Sequence, residues 1–442
     1  MKKSVKRYLA GAVGMIAAAV LAISAGRGDF RVARDLEVLF NLFREVNTYY
    51  VDSVDTDRLL KNAALGMLDD LDPYTEFLPE SEMENFEIQA TGKYGGIGSL
   101  IRKNGDWVEI AEPYKGFAAD KAGLKIGDRI LAIDGKDAKD MTTEQVSALM
   151  KGDPGTTLRL KIRRFADAQE ADLSIKRERI AISGVTYAGL VHPGVGYIAL
   201  GDFSEDCSTD VKRAIMDLKG GGATSLVFDL RNNGGGILQE AVKIVGMFVP
   251  RGTEVVAMRG RVPGSSSKYS TSTDPIFEGK LVVLVNRSSA SAAEIVAGAL
   301  QDVDRAVLVG QRSFGKGLVQ STYPLGYNSY AKITIAKYYI PSGRCIQAVD
   351  YSQRDENGSA VEVPDSLIRE FHTRAGRKVY DGGGVMPDVK IEPEYMSVFA
   401  YNLYVRGYIE NFGGEYAKKH DFASVDPDTF RLSDEAYADF GA

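Results

Sequence analysis

Three serines, Ser288, Ser289 and Ser291, follow the apolar run VLVN and precede the helical pattern AAEIVAGALQD. A serine between a buried strand and a helix can present its hydroxyl at a sheet edge, as a nucleophile must be presented. The helix start adds positive potential and unbonded N–H groups, that of Ala292 among them, for an oxyanion developing beside Ser291. A plainer account uses the same residues. Ser291 and Glu294 have the Ser-x-x-Glu spacing of a capping box, in which each side chain satisfies a backbone donor of the first turn. Taken alone, the stretch favours the cap.

A serine nucleophile also needs a group to take its proton. The chain has 3 histidines. His192 precedes Pro193 in a turn, His420 lies in a polar tail, and sequence distance excludes neither these nor His372. Lys316, in SFGKGLVQ, is the other candidate. An amine is a base near neutral pH only where burial or a nearby cation lowers its pKa. Phe314, Gly315, Gly317 and the following LVQ suit such a place, although a lysine between glycines is ordinarily a surface turn. Residues 310–316 also fit the first seven positions of a phosphate-binding loop. The eighth is Gly317 where Ser or Thr should hold Mg²⁺, and LVQSTYPL reads as a strand where a helix should follow.

Two glycine clusters carry further chemistry. DLRNNGGG follows a buried strand. Its glycines either satisfy a turn that needs positive φ or bring bare N–H groups to a substrate carbonyl, with Gly235 the first choice and Gly234 and Gly236 the alternates. In YGGIG, Tyr94, Gly95, Gly96, Ile97 and Gly98 lead into a strand. Such a loop captures a C-terminal carboxylate while the peptide adds as a strand, and a helix carrying Val146, Leu149 and Met150 would wall the groove. A dinucleotide fingerprint fits poorly, because no helix follows.

Elements of three textures must hold these residues. From residue 29 to about 78 the pattern is helical, with Leu36, Leu39, Phe40, Phe43 and Val46 spaced by three and four, and a second run ending at Asp72-Pro73. From about 86 to 176 come short strands and glycine corners, KYGGIGSLIRK, WVEIAEP, DRILAIDGK and TLRLKIRR. One short helix interrupts them, capped by Thr142 or Thr143. This predicts a small β-barrel. From about 185 to 391 strands and helices alternate, which implies a layered sheet: GYIALGDF, TSLVFDL, KLVVLVN and AVLVG as strands, with CSTDVKRAIMDLKGGG and ILQEAVKIVGMF as helices. RGRVPGSSSKYSTSTDP reads as a polar loop and the last stretch of the chain as polar helix.

Composition is that of a globular protein, 44% hydrophobic and 26% charged over 442 residues, with formal charge −6. Lys2, Lys3, Lys6 and Arg7 mask a still more acidic remainder, which argues against a nucleic-acid partner. Those cations precede an uncharged run, residues 9–25, that is either a secretory signal cleaved near Ser24 and Ala25 or an uncleaved membrane anchor. No cysteine follows it to carry a lipid. Cys207 and Cys345 have no metal spacing, and whether they pair stays open.

Together these stretches resemble the C-terminal processing, or tail-specific, serine peptidases, which carry an embedded PDZ domain. AGLKIGDRILAIDGKD is similar to the PDZ core motif. GYIALGDFSE, DLRNNGGG, VLVNRSSASAAE, GQRSFGKGLVQ, AKYYIPSGRCI and DGGGVMPDV occur in the family's order, and the similarity spans roughly residues 35–392. The resemblance implies a serine–lysine dyad assisted by a glutamine, which fall on Ser291, Lys316 and Gln320; Ala292 and a glycine of Gly234 to Gly236, Gly235 first, would then supply the oxyanion hole. It implies no metal or cofactor. Two departures stand out: Ala293 replaces the third serine of SASASE, and Gly234 stands where a proline is frequent.

The expected architecture is multidomain α+β. Residues 1–26 are a signal or anchor, 27–80 a helical module, 81–178 the PDZ β-barrel, 179–392 a crotonase-like α/β peptidase core, and 393–442 a helical tail. The expected activity is endopeptidase cleavage of exported proteins recognised by their C-terminal tails, in the bacterial periplasm or cell envelope, with membrane attachment through the N-terminus and homo-oligomerisation through the helical ends. An inactive PDZ scaffold or chaperone of the envelope is the alternative.

Overall fold

The structure, a computed structural model, describes residues 29–356, 358–393, 395–420, 422, 425 and 429–441. The N-terminal signal or anchor lies outside these. Among the described residues no helix is long and apolar enough to cross a membrane.

Contacts divide the chain into two units. One comprises the described part of Met1–Glu80 with Thr322–Ile333. It holds the helices Asp29–Tyr49 and Thr56–Leu68. The second starts where Asp55 accepts the N–H groups of Asp57 and Arg58, both at 3.1 Å. A short strand, Glu76–Leu78, pairs antiparallel with Tyr330 to Lys332. The helices form where the apolar spacing predicts, yet Leu36, Leu39 and Phe40 remain exposed.

The other unit, Ser81–Ser321 with Thr334–Ala442, contains two sheets that bear on function. In the first, Ser99–Asn104, Trp107–Pro113, Arg129–Ile133, Thr157–Arg163 and Glu170–Lys176 lie in that order, with Ser99–Asn104 at the edge. Helix Thr143–Met150 packs on it, and its cap is Thr142, in a reciprocal box with Gln145. A helix, Glu80–Thr91, precedes this sheet and occupies the start of the stretch read as strands.

The second sheet has six strands, also in chain order: Val185–His192, Val195–Leu200, Ser225–Asp229, Lys280–Val285, Val307–Gly310 and Val389–Lys390. All neighbours after the first pair are parallel. Parallel strands covered on both faces need continuous apolar runs, which SLVFD and KLVVLV supply. Ile198, Phe228, Val283 and Leu308 stand side by side across four strands, all with 0% exposure. Helices Cys207–Gly220, Leu238–Val245 and Ala292–Asp302 alternate with the strands. RGRVPGSSSKYSTSTDP is not wholly a loop. Ser267–Ser270 pairs antiparallel with the strand Glu254–Gly260, all four of its residues finding partners between Glu254 and Met258.

Ser225–Asp229, Lys280–Val285 and Val307–Gly310 run in register, Asp229 opposite Leu284 and Val285 opposite Gly310. They therefore release the glycine turn, the serine cluster and the lysine loop from one edge, the carboxyl edge where open parallel sheets build their sites.

The helix after the serines is buried along its whole length. Its far end is held by Asp302, which receives Arg344 at 2.8 Å with both side chains at 0% exposure, and the N–H of Ser342 at 2.9 Å. Arg344 also donates to Gln301. Cys207 and Cys345 are free thiols. Arg344→Met leaves Asp302 charged and unpaired in the core. The expected loss is about 3–5 kcal/mol in urea unfolding; a loss below about 1 kcal/mol would show that the pair does not anchor the helix.

Candidate active site

Ser291 occupies the junction of strand and helix with φ 54° and ψ −114°. An ordinary N-cap is extended. A non-glycine residue at positive φ costs on the order of 1–3 kcal/mol, and persists only where its surroundings over-determine it. Here they do. Its N–H donates to Glu294 Oε2 at 2.8 Å, its carbonyl accepts from Ile295 at 2.9 Å, and Ala290 is tied to the Asn233 carbonyl at 2.9 Å. The backbone-capping half of the Ser-x-x-Glu pattern thus exists, on a backbone no ordinary cap adopts. The N–H of Ala292 has no acceptor among the described residues.

The other two serines serve the scaffold. Ser289, at 0% exposure, donates to the Leu230 carbonyl at 2.7 Å and accepts the Asn286 N–H at 2.9 Å. Asn286 and Asn232 exchange two hydrogen bonds, at 2.9 and 2.8 Å. Together they stitch the serine loop to the glycine turn. Ser288 is an exposed turn residue.

The glycine turn starts at Asp229. Burial alone would raise its pKa, but hydrogen bonds from Arg231 and Tyr197 outweigh that and hold the carboxyl below its ordinary range. Gly235 then passes against Ser291. A Cβ there would stand 2.7 Å from Ser291 Cβ, 2.7 Å from the Ala290 carbonyl and 2.9 Å from the Ala292 nitrogen, at φ +98°. Only glycine fits. The N–H of Gly235 donates to Asn233 Oδ1 at 2.8 Å, so the favoured oxyanion donor is spent inside its own turn. Buried Asn233 claims it while its amide nitrogen holds the Leu200 carbonyl. Gly234 and Gly236 are exposed, and their N–H groups have no acceptor among the described residues.

The lysine loop, residues 311–317, is bound to the serine helix by Glu294. This carboxylate, with 0% exposure, accepts from Ser313 Oγ at 2.5 Å, Gly315 at 2.7 Å and Lys316 at 2.9 Å, besides Ser291. Burial pushes its pKa up to about 7, with the four donors pulling the other way. Tyr338, nearly fully buried, donates to the carbonyls of Lys316 at 2.6 Å and Ser291 at 3.2 Å. Gly315 and Gly317 let the loop pass close to Ala348 and Gln347, where a Cβ would clash at 2.5 and 2.9 Å. Lys316 is half-buried. Gln320 lies on the next strand, Leu318–Gly326, with its amide on Thr334 Oγ1 at 3.0 Å. That strand stands where a phosphate-binding loop would need a helix. All 3 histidines are exposed, bonded to Pro193, Glu370 and Tyr416 and, among the described residues, to nothing in these loops.

Among known proteins, residues 194–355 match the model of peptidase family S41, and residues 109–164 that of a PDZ domain. The carboxy-terminal-processing protease of Bartonella bacilliformis is 36% identical over 314 residues, which cover 70% of this chain and 72% of that one. This chain belongs to peptidase family S41. A probable CtpA-like serine protease of Staphylococcus aureus is 34% identical over 317 residues; these cover 71% of this chain but 62% of the relative, less than two thirds of its length. The photosystem II D1 C-terminal processing protease is a structural relative at 28% identity and TM-score 0.41, covering 80% of this chain and 87% of its own. As an S41 member of the C-terminal-processing kind, the chain is a serine peptidase with a PDZ domain.

In this S41 peptidase, Tyr94, Gly95 and Gly96 lie in the strand Lys93–Gly96, paired with Glu178–Ala181, and Ile97 and Gly98 lead directly to the edge strand Ser99–Asn104. Burial raises the Tyr94 phenol to about 12. Val146 and Met150, at 0% and 5% exposure, sit in the PDZ core with Ile97. Their i, i+4 spacing puts both on the inward face of the helix. Half-buried Leu149 on that helix and exposed Leu100 on the edge strand keep apolar surface towards solvent.

Gly235→Ala is expected to lower kcat by roughly 100-fold or more, since it displaces Ser291 itself. Tyr338→Phe removes one hydroxyl from two carbonyls and should cost about 1 kcal/mol of stability. Steady-state cleavage with thermal unfolding reads both; a wild-type kcat for Gly235→Ala would contradict the close approach.

Proposed function

We propose that this S41 peptidase cleaves peptide bonds with a serine–lysine dyad. Neutral Lys316 takes the proton of Ser291, whose Oγ attacks the carbonyl carbon. The amine then returns the proton to the leaving nitrogen, and water hydrolyses the acyl-enzyme. The N–H of Ala292 and one from the turn Gly234, Gly235 and Gly236 would stabilise the oxyanion. Gly234 and Gly236 have the unspent donors, and Gly235 would serve only if Asn233 released it. Gln320 would orient Lys316 from the neighbouring strand. One observation carries this assignment: the positive φ of Ser291 at a helix start, on a backbone bonded to the same carboxylate oxygen as that of Lys316.

Substrates would be exported proteins held by their C-terminal tails. The tail would add to the edge strand Ser99–Asn104 with its carboxylate at residues 94–98. The catalytic core would be crotonase-like, between the PDZ domain of residues 81–178 and a helical tail from residue 393. The basic leader would direct the chain to the periplasm or cell envelope and attach it to the membrane if retained. The exposed Leu36, Leu39 and Phe40, with Val398, Phe399 and Tyr401 near the other end, would pair with a second copy.

The test is cleavage of an unfolded protein with an apolar C-terminus by wild type, Ser291→Ala, Lys316→Ala and a variant lacking all three histidines. Wild type and the histidine variant are expected to cleave, with rates rising with pH to a plateau as the amine loses its proton. Both dyad variants should be inactive. Cleavage by Ser291→Ala, or loss of it in the folded histidine variant, would overturn the dyad; no cleavage by any form, even with PDZ-binding peptide added, would favour a scaffold.

A further inference from the structure

A cap requires one hydrogen bond of Glu294, and the structure gives it four. Oε2 accepts from the N–H of Ser291 at 2.8 Å and of Lys316 at 2.9 Å. Oε1 accepts from Ser313 Oγ at 2.5 Å and the N–H of Gly315 at 2.7 Å. One oxygen atom thus touches the backbones of both the proposed nucleophile and the proposed base. We propose that Glu294 is a positioning residue of the hydrolysis, whose carboxylate sets the placement of Lys316 relative to Ser291 by binding both main chains at once. This rests on the dyad assignment above.

Chemistry explains why the residue must be a carboxylate. An ionised carboxyl offers about four lone-pair sites and no donor, and all four donors here converge on it. It has no lone pair left for a proton relay, so its influence passes through the two backbones. A glutamine of the same shape would turn an –NH₂ group towards two of the four donors. An aspartate, one methylene shorter, would reach one loop but not both. Ser313 supplies a donor without belonging to either backbone, and its hydroxyl also accepts the Val385 N–H at 2.6 Å, which ties the clamp to the 382–385 loop.

The experiment compares wild type, Glu294→Gln, Glu294→Asp, Ser313→Ala, Ser291→Ala and Lys316→Ala. It measures kcat and KM on a peptide, the rate at which a fluorophosphonate labels Ser291 across a pH series, and thermal unfolding. Glu294→Gln and Glu294→Asp should fold cooperatively and lose roughly 100-fold in kcat, with KM within about twofold, since a displacement near 1 Å suffices for that. Labelling should stay slow at every pH. Raising the pH makes Lys316 neutral but cannot restore its placement. Recovery of wild-type labelling at high pH would mean that Glu294 tunes charge, and would overturn the proposal. So would wild-type kcat in folded Glu294→Gln while Ser291→Ala and Lys316→Ala are inactive, an outcome that leaves the dyad standing. Activity in either dyad variant would remove the dyad itself. If the Glu294 variants do not fold, Ser313→Ala decides: a severalfold loss in kcat supports the clamp, and wild-type kcat overturns it.

Discussion

A buried carboxylate is the constraint from which the rest of the site follows. Moving an ionised carboxyl out of water costs several kcal/mol, repaid only where hydrogen-bond donors surround it. Glu294 sits in the first turn of a helix with no exposed face, so its donors must come from the protein. Helix geometry provides one, the N–H of Ser291. The remaining three must be brought in by another segment, and residues 313–316 do so only by folding back against the helix start. Satisfying one charge therefore brings two distant stretches together, and the two residues whose side chains could do chemistry arrive with them. Tyr338 bridges the same two stretches through the carbonyls of Ser291 and Lys316.

That closure explains how Ser291 tolerates its backbone. Strain persists where alternatives are blocked. Glu294 holds its nitrogen, Ile295 its carbonyl, and Asn233 the preceding residue. Gly235 fills the space into which the chain would relax, approaching so closely that no side chain could intervene. The far end of the helix is fixed by Arg344 and Asp302. Ser291, the proposed nucleophile, thus stands on an element pinned at both ends, the rigid support that a reaction sensitive to ångström displacements requires.

Much of this was legible in the sequence because the signals are local. The strand-to-helix switch before Ala292, the buried runs SLVFD and KLVVLV and the glycine clusters each report their own conformation. The long-range part was not. Ser-x-x-Glu spells a cap, and nothing near it announces that Ser313, Gly315 and Lys316 share the same carboxylate. Ser289 reads as one more turn serine, though its hydroxyl holds Leu230. Gly235 looked like a free donor because the competitor, Asn233, lies two residues away in a turn whose geometry composition does not specify. Val146 and Met150 read as groove residues from helix membership, and their spacing also carries them to the buried face of the helix. Among the three serines and the lysine, the pattern narrowed the choice, and the family resemblance selected.

The two departures from the family pattern fit the same physics. Ala293 has 0% exposure, and its N–H is taken by the Ala290 carbonyl. A hydroxyl at that position would need a partner inside the core, whereas a methyl needs none. Gly234 is exposed, with nothing within 4 Å of where a side chain would begin. A proline there would stiffen the turn, but glycine clashes with nothing and leaves an N–H that proline lacks. Both changes fall beside the bonds that position Ser291 and Lys316, and neither alters a group that makes them. The clamp at Glu294 therefore remains complete in this chain, although the motif around it is not.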